Sequence, residues 1–260
     1  MQKYHRVSAS ERGYMRILVV NDDGIRAEGI CELAKMAAQL GEVWVVAPDN
    51  QCSAMSQRIT VHADIVVKPV SFPVAGVKAY SVGGTPADCV KVALQQLMPK
   101  KPDVTFSGIN CGYNVGLDIL YSGTVGAAME SLLNGVPAIA FSSETNSNYD
   151  VVEEHLLSIA EELLTKKLPV NELWNVNFPS CAAAELKGIL WERVPAQEQF
   201  YLDHYERKAH EDGSFTLSAA GVSTTGAAEG TDIKAVLDRY ISIGTIRNAV
   251  LNAVPLAQKR

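Results

Sequence analysis

The sequence predicts an α/β fold: a mostly parallel central sheet covered by helices on both faces, with a smaller irregular C-terminal lobe. Three observations lead there. Short apolar runs alternate with segments of helical periodicity through the first two thirds of the chain. The runs are apolar along most of their length, as strands buried on both faces are. A polar, glycine-containing loop follows most of them, the punctuation of βαβ units.

The first strand is read at 15–20 (MRILVV), and a helix at 28–41 (EGICELAKMAAQLG) ending at a glycine stop. A second buried strand follows at 42–48 (EVWVVAP). The segment 86–98 is helical, with Pro86 suited to a first helical position. A third strand at 103–110 (DVTFSGIN), a helix at 124–135 stopped by Gly135, and a fourth strand at 137–143 (PAIAFSS) continue the alternation. A longer amphipathic helix at 150–167 and a strand at 173–179 (LWNVNFP) close it. From about residue 186 the pattern weakens into strands and long excursions, until 231–243 returns to helix then strand. The chain therefore divides into a polar extension at 1–14, a core at 15–185 and a C-terminal lobe at 186–260. The extension lacks the apolar centre of a signal peptide.

A chain of 260 residues, 47% of them hydrophobic, can bury a substantial core. Its formal net charge of -6 argues against nucleic acid polymers as partners while leaving room for a small anion held through a metal. The five cysteines, Cys31, Cys52, Cys89, Cys111 and Cys181, are widely spaced without a CxxC, which suits a reduced, cytoplasmic setting. No apolar run reaches membrane-spanning length, so no membrane partner is expected.

Chemistry collects after the strands. Asn21-Asp22-Asp23-Gly24 follows the first and Asp49-Asn50-Gln51-Cys52-Ser53 the second. Ser107-Gly108-Ile109-Asn110 ends the third, with Gly112, Asn114 and Gly116 beyond it, and Ser122-Gly123-Thr124 opens the next helix. In a parallel sheet these lie at one edge, where ligands gather. A lone Asp-Gly marks a turn. Two adjacent carboxylates ending a buried strand need more, because like charges that close repel unless one is protonated or a cation sits between them. Such oxygens suit Mg²⁺, Mn²⁺ or Ca²⁺ rather than zinc. Ser53 and Asn110 offer neutral oxygens to complete a shell, and each reads equally well as a cap or turn residue. Ser122-Gly123-Thr124 reads as an N-cap and, compatibly, as a phosphate cradle of hydroxyls and free N–H groups. The absence of GxGxxG, GxxxxGK[ST] and GxSxG disfavours a dehydrogenase, a P-loop NTPase and an α/β-hydrolase. The histidines, His5, His62, His155, His204 and His210, fall away from these loops and read as surface or packing residues.

The series MRILVVNDDGIRAEGI, VVAPDNQCSAMS, GTPADCV, SGINCGYNVG and YSGTVGAAME resembles, in order and spacing over 15–143, the motifs of the SurE family of metal-dependent survival-protein nucleotidases. GTDIKAVLDRYISI, at 230–243, resembles that family's C-terminal block. The resemblance implies a Rossmann-like three-layer sandwich and hydrolysis of nucleoside 5′- and 3′-monophosphates, with short polyphosphate a further substrate of some members. It implies one divalent cation, Mg²⁺ or Mn²⁺, on Asp22, Asp23, Ser53 and Asn110, with Asp22 and Asp23 catalytic. It places a phosphate loop at Ser122, Gly123 and Thr124, with Asn21 and Asn114 beside it. Members are usually dimers or tetramers that exchange a C-terminal element, so a homodimer or homotetramer is expected. The sequence departs from the pattern at Ala54, where the family has glycine, at Glu28, where it has proline, at SIGTI (242–246), and around 196–212.

The runner-up is a haloacid-dehalogenase-like phosphatase, whose Asp-x-Asp would need a carboxylate where Asn21 stands. A non-catalytic nucleotide- or metal-binding module on the same fold is the remaining reading. A base pocket, on any of these readings, is expected from the irregular lobe.

Overall fold

The computed structural model describes residues 15–144 and 149–251; the extension read at 1–14 lies outside them, as do residues 252–260. β1, Met15–Val20, shows why the apolar runs become buried strands. Side chains alternate across a strand, and here both sets are apolar. Ile17 and Val19 enter the core on one side of the sheet, Leu18 and Val20 the core on the other. β2, Gly41–Pro48, divides in the same way between Val43, Val45 and Ala47 and, opposite them, Trp44 and Val46. α1, Glu28–Ala37, and α4, Asp150–Thr165, bring Ile30, Leu33, Leu156 and Ile159 to the first side. α2, Pro86–Val92, and α3, Gly123–Leu133, cover the second with Cys89, Val90 and Ala127.

From β1 the sheet runs outward through β5, Val104–Cys111, β6, Ala138–Ser143, and β7, Glu172–Phe178, all parallel. On its other side β2 pairs in parallel with β4, Lys78–Val82, and the edge strand β3, Val67–Pro69, is antiparallel to β4. The sequence reading has no strands at these last two places. Their edge position leaves them half exposed, so residues such as Lys68, Lys78 and Ser81 break the apolar run that would have revealed them.

The C-terminal segment contributes β8, Ile189–Arg193, and β13, Ile241–Arg247, to the same sheet, with β13 antiparallel to β7 and parallel to β8. The nine strands lie in the order β3-β4-β2-β1-β5-β6-β7-β13-β8. Two small antiparallel pairs stand apart from it. β9, Tyr201–Leu202, pairs with β12, Val222–Ser223, and β10, Tyr205–Ala209, pairs with β11, Phe215–Ala219, as an exposed hairpin. α5, Asp232–Leu237, joins Phe200 and Tyr113 in a small core through Ile233 and Val236. A mostly parallel sheet between two helical layers is the predicted α/β class.

The chain leaves β1 toward β2 on one side, while β5 flanks it on the other. Strand order thus reverses at β1, and a crevice opens beyond the carboxyl ends of β1 and β5. One polar residue secures the approach to it. Thr85 N donates to Asp88 Oδ2 at 2.9 Å, and Asp88 N to Thr85 Oγ1 at 3.2 Å, closing a capping box on α2. The same carboxylate accepts from Thr60 N at 3.0 Å and Thr60 Oγ1 at 2.7 Å. Burial alone would raise the Asp88 carboxyl, but these bonds outweigh it and hold the group below the usual carboxylate value. Asp88→Ala leaves the Thr85 cap but removes the reciprocal half of the capping box and strands the Thr85 and Thr60 donors. It is expected to cost about 2–3 kcal/mol of stability at pH 7 in urea unfolding, with the m-value unchanged.

Candidate active site

β1 ends in a turn that re-aims the chain. Asn21, fully buried, accepts from Gly24 N at 3.2 Å and donates through Nδ2 to Gly24 O at 3.0 Å. Gly24 has φ +99°, in the left-handed region that a Cβ disfavours, so the tight turn needs glycine here. This geometry places Asp22 and Asp23 in the crevice. Asp22 is buried; its carbonyl accepts from Cys52 N at 2.7 Å and its Oδ1 from Thr124 Oγ1 at 2.5 Å. Asp23 is half-buried; Oδ2 accepts from Cys111 N at 2.9 Å and Oδ1 from Gln51 Nε2 at 3.3 Å. The loops after β1, β2 and β5 and the start of α3 therefore meet on two carboxylates.

Ser53 is the exposed neighbour of Cys52, in a loop fixed from both ends. Beyond it Ser56 N donates to Tyr121 O at 2.8 Å and Ser56 Oγ to Leu120 O at 2.7 Å. Ala54 holds φ +55°, in the left-handed region that glycine adopts more readily than alanine. Asn110 stands where the pairing of β5 with β6 shifts register between Ser107 and Asn110, a bulge of the kind that redirects side chains. Its Nδ2 donates to Gly112 O at 2.7 Å, which leaves the amide oxygen without a partner among the described hydrogen bonds.

Ser122 caps α3, accepting through Oγ from Val125 N at 3.0 Å. The amides of Gly123 and Thr124 have no acceptor among the described residues, so the positive end of the helix presents two free donors. Gly123 lies against Asp22 so closely that a Cβ would stand 2.8 Å from Asp22 Cβ and 2.9 Å from Oδ2. Asn114 is buried: Nδ2 donates to Ser142 Oγ at 2.7 Å, and its carbonyl accepts from Asn175 and Asn177. Of the residues read from sequence, Asp22, Asp23, Ser53, Asn110, Ser122, Gly123 and Thr124 gather here. Asn21 and Asn114 have amide nitrogens engaged within the protein and support the loops from behind. Gln51 and the Cys111 amide, which touch Asp23, were not singled out, although each adjoins a residue that was.

Burial raises Asp22 to about 6, against the bond from Thr124, and the Asp23 charge adds to the rise. Asp23 is raised too, chiefly by burial, against the Cys111 and Gln51 donors. No cationic side chain appears among the influences on either carboxylate. Among the described residues no three His, Cys, Asp or Glu side chains cluster. The donor set is thus two carboxylates with amide and hydroxyl oxygens nearby and uncompensated negative charge. That set fits a hard dication such as Mg²⁺ or Mn²⁺ and does not fit a zinc site built from histidine and cysteine.

Two outcomes follow. A carboxyl raised on folding stabilises fully below its unfolded value near 4 and loses that contribution as pH rises through about 6. Asp22→Asn is therefore expected to stabilise EDTA-treated protein at pH 7.5 by on the order of 2–3 kcal/mol, read as a higher melting temperature, with the difference vanishing by about pH 4. Gly123→Ala drives a methyl into Asp22, and calorimetry with activity assays should show turnover falling much further than stability.

The model of the family described as Survival protein SurE matches residues 17–200. The 5′-nucleotidase SurE of Clostridium botulinum (strain Kyoto / Type A2) is 38% identical over 242 residues, covering 92% of this chain and 95% of that protein. The 5′-nucleotidase SurE of Thermosipho melanesiensis is 37% identical over 235 residues, covering 89% and 91%. The crystal structure of SurE protein from Aquifex aeolicus superposes with a TM-score of 0.77 at 34% identity, covering 91% of this chain and 95% of the other.

Proposed function

The chain belongs to the SurE family, and from that premise we propose that it is a 5′-nucleotidase, a divalent-metal-dependent phosphomonoesterase releasing nucleoside and phosphate from nucleoside monophosphates. Nucleoside 3′-monophosphates and short polyphosphate complete the proposed substrate range. The observation that carries the reading is the meeting of an aspartate pair, one member buried and one half-buried, with the free N-terminus of α3 at the sheet's switch point.

Asp22 and Asp23, with the Ser53 hydroxyl and the Asn110 amide oxygen, would hold one Mg²⁺ or Mn²⁺. When bound, such an ion polarises the phosphoryl oxygens and lowers the pKa of a coordinated water. The residues do the positioning, which is most of what phosphoryl transfer demands. The Gly123 and Thr124 amides donate to the phosphoryl oxygens, with Ser122 fixing the first turn. Thr124 Oγ1 holds the Asp22 carboxylate still. Asn21 locks the turn that carries both aspartates, and Asn114 anchors the loop leading to Ser122. Water attacks the phosphorus as the bond to the nucleoside oxygen breaks; the water's proton passes to a carboxylate oxygen of Asp23, the more open of the pair, and from there to the departing oxygen, which leaves as the nucleoside hydroxyl.

Residues 15–185 form the Rossmann-like catalytic core on this reading, and 186–260 the lobe through which a homodimer or homotetramer assembles. The exposed apolar residues of the hairpin, Tyr205, Phe215 and Leu217, support that role. No helix among the described residues is long and apolar enough to cross a membrane. The free cysteines Cys31, Cys52, Cys89, Cys111 and Cys181 suit a cytoplasmic site of action.

Nucleoside monophosphates assayed with Mg²⁺ or Mn²⁺ are expected to be hydrolysed, and EDTA to abolish the activity. Asp23→Asn should lower kcat by roughly 10²–10³-fold with an unchanged circular-dichroism spectrum. Turnover near that of the unaltered protein would remove the carboxylates from the chemistry.

A further inference from the structure

We propose that the nucleoside half of the substrate enters a cleft between the loop after β1 and the segment after β3, with Phe72 as its stacking surface. The inference rests on the nucleotidase reading. The cleft has a volume of about 710 Å³ and is lined by Ile25, Arg26, Asp49, Asn50, Phe72 and Ser81 among others. That is within the range of about 300–1,000 Å³ typical of small-molecule sites. Two of its walls continue directly into the carboxylate centre. Ile25 and Arg26 follow Asp22-Asp23-Gly24, and Asn50 precedes Gln51, whose amide donates to Asp23 at 3.3 Å. On this proposal the phosphate sits at the start of α3 and the nucleoside crosses the β1 loop, which the cleft shares through Ile25 and Arg26. The other large cavity, about 410 Å³ and lined by Met15, Val104, Ala138 and Trp174, lies at the amino ends of the strands. Substrate bound at the carboxyl ends cannot reach it.

The lining suits a heteroaromatic ring and a sugar. Phe72 is half-buried and packs on the core beneath, which fixes its ring. Asp49, whose N–H is held by Val82 O at 2.9 Å and whose carboxylate accepts from Asn50 at 2.9 Å, offers an acceptor for an exocyclic amine of the base. Ser81 and Asn50 add groups that both donate and accept. One arginine opposite one aspartate leaves this wall electrically balanced, a poor surface for a polyphosphate tail and a good one for a neutral nucleoside. The base is then read by the sheet edge formed by β3 and β4, instead of by the irregular lobe.

The test compares kcat/KM for adenosine 5′-monophosphate with that for ribose 5-phosphate, which lacks the base. Phe72→Ala is expected to lower this ratio about tenfold, the usual effect of removing one base–aromatic stack. Asp49→Asn, an exposed change that spares the core, is expected to lower it as well. A ratio that stays constant in both variants overturns the proposal. Titration of the unaltered protein and Phe72→Ala with adenosine, followed by protein NMR, supplies a readout independent of turnover. Shifts at 25–27, 49–50 and 70–73 that weaken in the variant support the cleft, and shifts confined to the C-terminal lobe refute it. Absence of hydrolysis of every phosphate ester by the unaltered protein would instead refute the nucleotidase reading.

Discussion

Two carboxylates on consecutive residues, one of them buried, stand at the carboxyl end of the central strand, and among the described residues neither has an ion-pair partner. Keeping that charge costs folding energy, since desolvation raises Asp22 toward neutral pH. The fold tolerates the cost by holding the carboxylates with neutral donors: the Thr124 hydroxyl, the Cys111 amide and the Gln51 amide. These bonds orient the negative charge without cancelling it. A protein arranged only for stability would pair or remove such groups. On the proposed reading, the unbalanced charge is what selects a dication and, through it, an anionic substrate.

The rest of the architecture follows from bringing four chain segments to that point. The parallel sheet delivers the ends of β1, β2 and β5 to one edge, and reversal of strand order at β1 opens the space between them. Backbone bonds then tie loop to loop: Cys52 to Asp22, Ser56 to Tyr121. Glycine at 123 allows α3 to approach until its first turn touches the Asp22 side chain. The positive end of a helix and a carboxylate pair are thereby held in contact. That suits a phosphate bound by both at once, through the helix amides on one side and through a cation on the other.

The legibility of the site varied with the kind of signal each residue gives. Asp22 and Asp23 are conspicuous because acidic side chains at the end of an apolar run defy the burial around them. Ser122-Gly123-Thr124 is conspicuous because capping residues announce a helix start. Gln51 and Cys111 act on Asp23 from 28 and 88 positions away, and no local pattern encodes that. Asn21 and Asn114 share the residue type of Asn110, yet both are buried, Asn21 with both amide atoms bound to Gly24 and Asn114 with its amide nitrogen on Ser142. Phe72 sits in a stretch with no periodicity, and it comes to line a cleft with Ile25 and Asn50 only when β3 and β4 join the sheet.

The sequence by itself determined the α/β class, the order of the main strands and helices, and the location of the acidic pair. These are set by local physics: uninterrupted apolar runs can only be strands buried on both faces, and glycine and capping residues punctuate them. The tertiary structure decided what local patterns do not encode. It placed β8 and β13 in the central sheet, added the half-exposed strands β3 and β4 at the sheet's outer end, and opened a side cleft between the loop after β1 and the segment after β3. Each of these depends on which surfaces meet after folding, because an edge strand or a cleft wall owes its character to distant partners and leaves a mixed, aperiodic stretch in the chain.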